Sequence, residues 1–326
     1  MMLIADSGST KTDWAWIENG SIVHRATTAG INPVHQTEEE IEKVVLQLFP
    51  RKEEGERSKE ICTEHMATDL YTLSLEYSPS SFILPPSSKN TSLKWVFFYG
   101  SGCIPEKKGV VEKVLRKVFP EFEKIEVEND LLGASRAVCQ HQEGLACILG
   151  TGSNSCYYDG AEIVENIPPL GYILGDEGSG AVLGKLFLNA LFKGSLPASM
   201  KEDFLQKSGL TYPEIIQRVY REPMANRFLA STSLFIYEHL DVPALRELVK
   251  DNFRAFFRKN IAKYKRPDLS IGAIGSIAYH YRDLLQEVAT EEGYTLSKVA
   301  KSPMEGLVAF HGATPGPSKR RGIGID

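Results

Sequence analysis

The chain has 326 residues, 42% of them apolar and 24% charged, with a net charge of −5 at neutral pH. That length allows two domains with their own cores, and the composition is that of an ordinary globular protein. The acidic balance argues against nucleic acid or an anionic membrane as a partner, and no apolar run approaches membrane-spanning length.

Residues 2–5 form an apolar run that ends in Asp6-Ser7-Gly8-Ser9-Thr10-Lys11-Thr12. An apolar run over 14–17, an Asn19-Gly20 turn and a segment over 21–26 follow, so the start reads as strand, tight turn, strand, hairpin, strand. A strand beginning at Met2 leaves no room for a signal peptide, and a cytoplasmic protein is expected. The five cysteines (Cys62, Cys103, Cys139, Cys147, Cys156) are odd in number and lack C-x-x-C spacing, which fits reduced thiols better than a metal site. Residues 37–49 spell a helix with Thr37 as N-cap and acids in its first turn. Residues 51–60 are almost wholly charged and 72–92 are rich in Ser and Pro, so an exposed insertion over 51–92 is expected. A buried strand over 93–99, a helix over 109–119 stopped by Pro120, a short strand over 125–127 and a helix over 131–141 complete the first half.

The opening pattern then recurs. Residues 145–149 lead into Gly150-Thr151-Gly152-Ser153-Asn154-Ser155, a strand over 156–158, an Asp159-Gly160 turn and a strand over 161–165. Helices are expected over 178–192, 200–222, 225–239 and 242–264, then a strand over 269–274 ending at Gly275-Ser276, then a helix over 277–293. Three strands followed by alternating helices and strands, performed twice, make an α/β protein with a mixed sheet in each of two domains. A Gly/Ser/Thr turn between apolar strands exposes backbone N–H groups and hydroxyls with little bulk in the way, which suits a phosphate chain. Two such turns can hold a polyphosphate from opposite sides and predict nucleotide binding.

Residues 5–12 resemble the first phosphate motif of the sugar kinase–actin superfamily, and Gly150-Thr151-Gly152-Ser153-Asn154 resembles the second. Gly272-Ala273-Ile274-Gly275-Ser276-Ile277-Ala278 sits where the adenosine motif belongs. Glu128-Asn129-Asp130 and the run from Gly171 to Gly180 narrow the resemblance to the N-acetylglucosamine kinase branch, which includes the bacterial BadF/BadG-type ATPases. It covers nearly the whole chain apart from 51–92 and the last dozen residues. It implies an α/β fold of two duplicated actin/hexokinase-like (ribonuclease H-like) domains with a cleft between them. The first would span 1–133, with helix 303–311 packing back on it; the second would span 134–302, and 312–326 would form a tail. It also implies an ATP- and Mg²⁺-dependent hexosamine kinase, with N-acetylglucosamine the leading acceptor and a homodimer left open.

By the same resemblance, Asp130 is the catalytic base, although an N-cap Asp would occupy the same strand-to-helix junction. Ser9, Thr10, Lys11, Gly150, Thr151, Gly152, Gly275 and Ser276 would hold ATP. Asn32, Asp130, Ser153, Asn154 and Asp176 would hold the sugar, and Asp6 would hold Mg²⁺ through water. Each has a plainer reading: a turn-initiating Asp6, a solvated Lys11, a turn residue Asn32 before Pro33, a locally bonded Asn154, and a helix-capping Asp176. Leu170 stands where animal members carry an aromatic residue, a departure at the sugar. Two other functions remain open: an ATPase that activates a partner dehydratase through a subunit-bridging iron–sulfur cluster, and a nucleotide-dependent sensor. The isolated cysteines argue against the first.

Overall fold

The computed structural model describes residues 1–8, 10–49 and 95–312. Ser9, Cys62, the expected insertion over 51–92 and the tail from 313 onward lie outside the described residues.

In the first half, β1 (Met2–Ser7), β2 (Lys11–Glu18) and β3 (Ser21–Ala29) form an antiparallel meander, followed by α1 (Glu38–Leu46), β4 (Trp95–Gly100), α2 (Lys108–Val118), β5 (Lys124–Asn129) and α3 (Asp130–Cys139). Asn19 and Gly20 both adopt positive φ, as an Asn-Gly hairpin requires. Thr37 caps α1 in a full capping box with Glu40. In the second half, β6 (Gly144–Leu149), β7 (Ser153–Tyr158) and β8 (Ile163–Asn166) repeat the meander. Then come α4 (Gly171–Leu174), α5 (Gly180–Phe192), α6 (Ala198–Ser208), α7 (Tyr212–Tyr220), α8 (Ala225–Ser231), α9 (Ser233–Glu238) and α10 (Pro243–Lys259). The half closes with β9 (Ser270–Ile274), α11 (Ser276–His280), α12 (Arg282–Glu291), β10 (Thr295–Ala300) and α13 (Met304–Gly312).

Each sheet has five strands, ordered β3-β2-β1-β4-β5 and β8-β7-β6-β9-β10, with the last two strands parallel to the first of the half. The two orders match position for position, so the duplication seen in the turns extends to the topology. One core lies under the first sheet with α1 and α2, and a second gathers the helices of the second half. The third lies between the sheets. There α3 and α13 bring Leu132, Ala137, Leu307 and Val308 against Ile4 and Phe97 of one sheet and Ala146 and Ile274 of the other. The two helices cross so closely that a Cβ on Gly306 would stand 2.4 Å from the Ala137 carbonyl oxygen. The end of α13 is pinned by His311, stacked on Phe97 at 3.7 Å between centroids and 2.8 Å from the Tyr99 hydroxyl.

Four helices expected as single rods are broken, the 242–264 helix ending at Lys259 before a 3-10 turn over Ile261–Tyr264. The 200–222 helix stops at Gly209, whose φ of +64° makes a left-handed cap, and restarts at a Thr211–Glu214 capping box. The 225–239 helix divides at Thr232, and the 277–293 helix at Tyr281, whose buried ring sends its hydroxyl to the Ser233 carbonyl (2.5 Å). Strand β10 was not anticipated. It is a sheet edge with mostly exposed or half-buried side chains, so it lacks the apolar alternation that marks a strand. No helix among the described residues is long and apolar enough to cross a membrane.

Candidate active site

Both Gly/Ser/Thr turns open onto one cavity of about 1230 Å³, lined from the first half by Asp6, Thr10, Lys11 and Asp130 and from the second by Gly150, Thr151, Gly152 and Asp176. Ser153, Asn154, Gly275 and Ser276 also reach it. Of the described residues singled out from the sequence, only Asn32 is not on its wall.

The first turn is built from inside the protein. The Gly8 N–H donates to the Lys11 carbonyl (3.0 Å) and closes the β1–β2 turn. The buried Ser7 hydroxyl lies 2.7 Å from that of Thr12 and accepts the Ile31 N–H (3.0 Å), tying the turn to the loop after β3. Lys11, expected to meet phosphate, pairs with Asp13 at 2.7 Å. Asp6, next to last in β1, is pushed up to about 7, first by burial, then by the Asp13 and Asp130 carboxylates, with Lys11 pulling the other way. A half-buried acid crowded by two like charges is a group suited to a cation.

Asp130 opens α3, but it does not cap it. Asn129 is the N-cap, its Oδ1 accepting the Leu132 N–H at 2.7 Å. The Asp130 carboxylate accepts from the Ser101 hydroxyl (2.8 Å) and the Leu131 N–H (3.0 Å), which orient it without occupying all its acceptor sites. Burial raises its pKa; those two donors and its own N–H hold it down.

The second turn leans on α5. The Gly180 and Ala181 N–H groups donate to the Gly150 (2.8 Å) and Thr151 (3.1 Å) carbonyls, so the helix start and the turn move together. Ser179 caps α5 by accepting the Val182 N–H, so the side chain of Asp176 is not the cap. Asp176 has a φ of +54° and its Oδ2 lies 3.0 Å from where a Cβ on Gly152 would stand. Burial pushes its pKa up to about 6, partly offset by the Ser153 N–H. The loop behind it is held by Asn252 of α10, 1% exposed, which accepts the Gly178 N–H (3.0 Å) and donates to the Ser179 carbonyl (3.2 Å). Gly275 links β9 to α11 with a φ of +121°, and a Cβ there would stand 2.3 Å from the Leu149 carbonyl oxygen.

Asn32 has the geometry of the plainer reading. Its Oδ1 accepts the Val34 N–H (3.0 Å), a side-chain turn around Pro33, and its carboxamide abuts Gly102. Ser101, Asn166 and Asn252 were not legible as site residues. Ser101 alone had a signal: Gly100-Ser101 stands at the end of β4 as Gly275-Ser276 stands at the end of the equivalent β9.

The raised acids carry a sign. Asp6 and Asp176 add stability that is fully present below the unfolded value, roughly 4, and lost as pH rises through their folded values of about 7 and about 6. The Tm of Asp6→Asn, measured against wild type by ligand-free thermal melts, is therefore expected to gain on it steadily between pH 4 and 8. A constant difference would contradict the half-buried, crowded carboxyl.

No protein-family model and no curated protein matches the chain. Among solved structures, a candidate N-acetylglucosamine kinase from Porphyromonas gingivalis is 46% identical, covers 96% of this chain and 99% of its own, and superposes with a TM-score of 0.81. The chain belongs to the N-acetylglucosamine kinase family. A candidate N-acetylglucosamine kinase from Chromobacterium violaceum, 17% identical over 95% of this chain and 98% of its own, shares the fold with a TM-score of 0.63. So does a ROK family glucokinase from Streptomyces griseus, solved with glucose and AMPPNP, at 13% identity, coverages of 95% and 97%, and a TM-score of 0.51. At such identities these two speak for the fold alone.

Proposed function

We propose that the chain is an ATP-dependent hexosamine kinase that transfers the γ-phosphoryl group to a hydroxyl of an amino sugar, O6 of N-acetylglucosamine before others. The observation that carries this is Asp130: a half-buried carboxylate, oriented by Ser101 and Leu131 but not used as a helix cap, on the wall of a cavity that both phosphate-type turns share. A carboxylate so placed can orient an acceptor hydroxyl and take its proton, while backbone donors stabilise the phosphoryl charge. Burial favours its protonated form, which brings a carboxylate closer to the strength a general base needs near neutral pH.

The units 1–133 and 134–302, with α13 returned to the first, would face each other across this cleft. Thr10 and Lys11 would meet ATP from one side. Gly150, Thr151, Gly152, Gly275 and Ser276 would meet it from the other, with Ser9 in the first turn. Ser153, Asn154 and Asp176 would hold the sugar, and Asn32 would act on it only by leaving its turn. The acidic surroundings of Asp6 fit a magnesium ion, and among the described residues no three His, Cys, Asp or Glu are grouped to ligate a metal. Asp6 would thus hold the ion through water, and the ion would supply charge neutralisation to the phosphates.

The four described cysteines do not favour the cluster-bearing ATPase. Cys103, Cys147 and Cys156 are buried and Cys139 half-buried. Burial pushes the Cys103 and Cys156 thiols up to about 12 and Cys139 up to about 11, away from the thiolate form that ligates iron.

Coupled ADP-release assays with glucose, glucosamine, N-acetylglucosamine and N-acetylmannosamine test the proposal. The acetylated glucosamine is expected to lead glucose by about 10-fold or more in kcat/KM, because a polar pocket left unpaired costs more than a lost apolar contact. Equal rates on all four sugars, or none on any, would sink it and leave the sensor reading ahead.

A further inference from the structure

Asn154 and Asn166 meet on the cavity wall, and backbone groups fix which way each carboxamide faces. The Nδ2 of Asn166 lies 2.6 Å from the Ser155 carbonyl and 3.3 Å from the Ile167 carbonyl, so that end of Asn166 is the donor. It also lies 2.8 Å from Asn154, and the atom it meets there must be the oxygen. The same oxygen accepts the Ser155 N–H at 2.9 Å, an independent reason for that orientation. Both acceptor positions of the Asn154 oxygen are thereby filled. Its Nδ2 has no hydrogen-bond partner among the described residues, and the residue lines the cavity with Asn166, Ile163 and Asp176. Asn154 can therefore offer a ligand donors only.

We infer that Asn166 sets the polarity of the sugar pocket. By holding the Asn154 carboxamide with its NH2 toward the cavity, it selects a sugar whose 2-substituent presents an acceptor, the carbonyl of an acetamido group, over one that presents only donors, a free ammonium. The inference rests on the hexosamine reading and makes its acetylated form follow from a side-chain orientation. Asn166 is a positioning residue: it acts through Asn154. It sits at the exposed end of β8, an edge strand, so replacing it disturbs no core.

The test separates binding from turnover. Calorimetry gives the affinities of the full chain for N-acetylglucosamine and glucosamine at pH 7, and coupled assays give kcat and KM for each. The wild type is expected to prefer the acetylated sugar. Asn166→Ala removes one of the two donors that hold the Asn154 oxygen and leaves the Ser155 N–H as its one tether, so the carboxamide turns more readily and the preference is expected to fall by up to about 10-fold, the worth of one hydrogen bond. This loss should appear in the sugar KM and leave the ATP KM unchanged, which general loosening of the fold would not do. Asn154→Asp keeps both internal bonds but faces the cavity with an acceptor, and should reverse the preference toward glucosamine. An unchanged ratio in Asn166→Ala, or a wild type that binds neither sugar, overturns the inference. A preference that collapses in Asn166→Ala with no turnover in any variant supports it while overturning the kinase reading.

Discussion

Asp130→Asn is expected to lower sugar phosphorylation by roughly 10²–10⁴-fold, the usual contribution of a general base, while ATP binding stays within about twofold by calorimetry. The substitution keeps the shape of the side chain, and the Ser101 hydroxyl that donates to Oδ2 at 2.8 Å can still donate to the amide oxygen. The site should therefore remain built through Ser101, losing its proton acceptor and the Leu131 N–H bond to the other oxygen. Ser101→Ala makes the converse change. It removes one of the donors that hold the Asp130 pKa down, so the acid limb of the kcat–pH profile should move to higher pH, with a smaller loss at pH 8 than at pH 6. An Asp130→Asn protein that turned over sugar at close to the wild-type rate would remove Asp130 from the chemistry. If it lost ATP binding to the same degree, the residue would instead belong to the nucleotide site.

The parts of this molecule readable in one dimension are those whose geometry is settled by neighbours in sequence. The Asn19-Gly20 and Asp159-Gly160 turns, the Thr37 cap and the paired phosphate-type turns all depend on a few consecutive residues. The order of helices and strands followed from apolar periodicity, apart from the one-turn α4 in a Gly-rich run, α13, which the resemblance supplied, and β10, whose edge position leaves it no apolar face to display. What could not be read depends on partners far along the chain. Asp130 looked like a cap candidate until Asn129 took the cap and Ser101 took the carboxylate. Asp176 could have capped α5, but Ser179 does so, and Asn252 from α10 holds the loop between them. Lys11, placed in the motif, spends its charge on Asp13 two residues away, a pairing that becomes visible only when the strand direction is known. Asn154 suggested both a donor and an acceptor for a sugar, and its acceptor proved to be committed to Ser155 and Asn166. A residue type limits what a side chain can offer; its neighbours decide which part of the offer remains.

Gly275→Ala is expected to be the most damaging of the single-methyl changes at the site, costing about 3 kcal/mol or more of stability and at least 10-fold in ATP affinity. Gly275 combines two demands. Its φ of +121° lies where side chains are strained, and the added methyl would stand 2.3 Å from the Leu149 carbonyl oxygen and 3.1 Å from the Gly150 nitrogen. Neither neighbour is a flexible side-chain end. Leu149 ends β6, and Gly150 begins the second phosphate-type turn, so relief comes only by pushing that turn away from the β9–α11 connection. For a chain of this size each kcal/mol lowers Tm by roughly 2–4 °C, so a melt should show a drop of several degrees. Calorimetry below that Tm should show the nucleotide affinity falling beyond the sugar affinity, because Asp130, in the first half, does not rest on this contact. Gly109→Ala serves as the internal control. It lies in the first turn of α2 with open space around it, and there the same methyl should stabilise by about 0.5–1 kcal/mol. A Gly275→Ala protein with the Tm and ATP affinity of wild type would mean that β9 and the second turn are not packed as described, and would withdraw Gly275 and Ser276 from the nucleotide site.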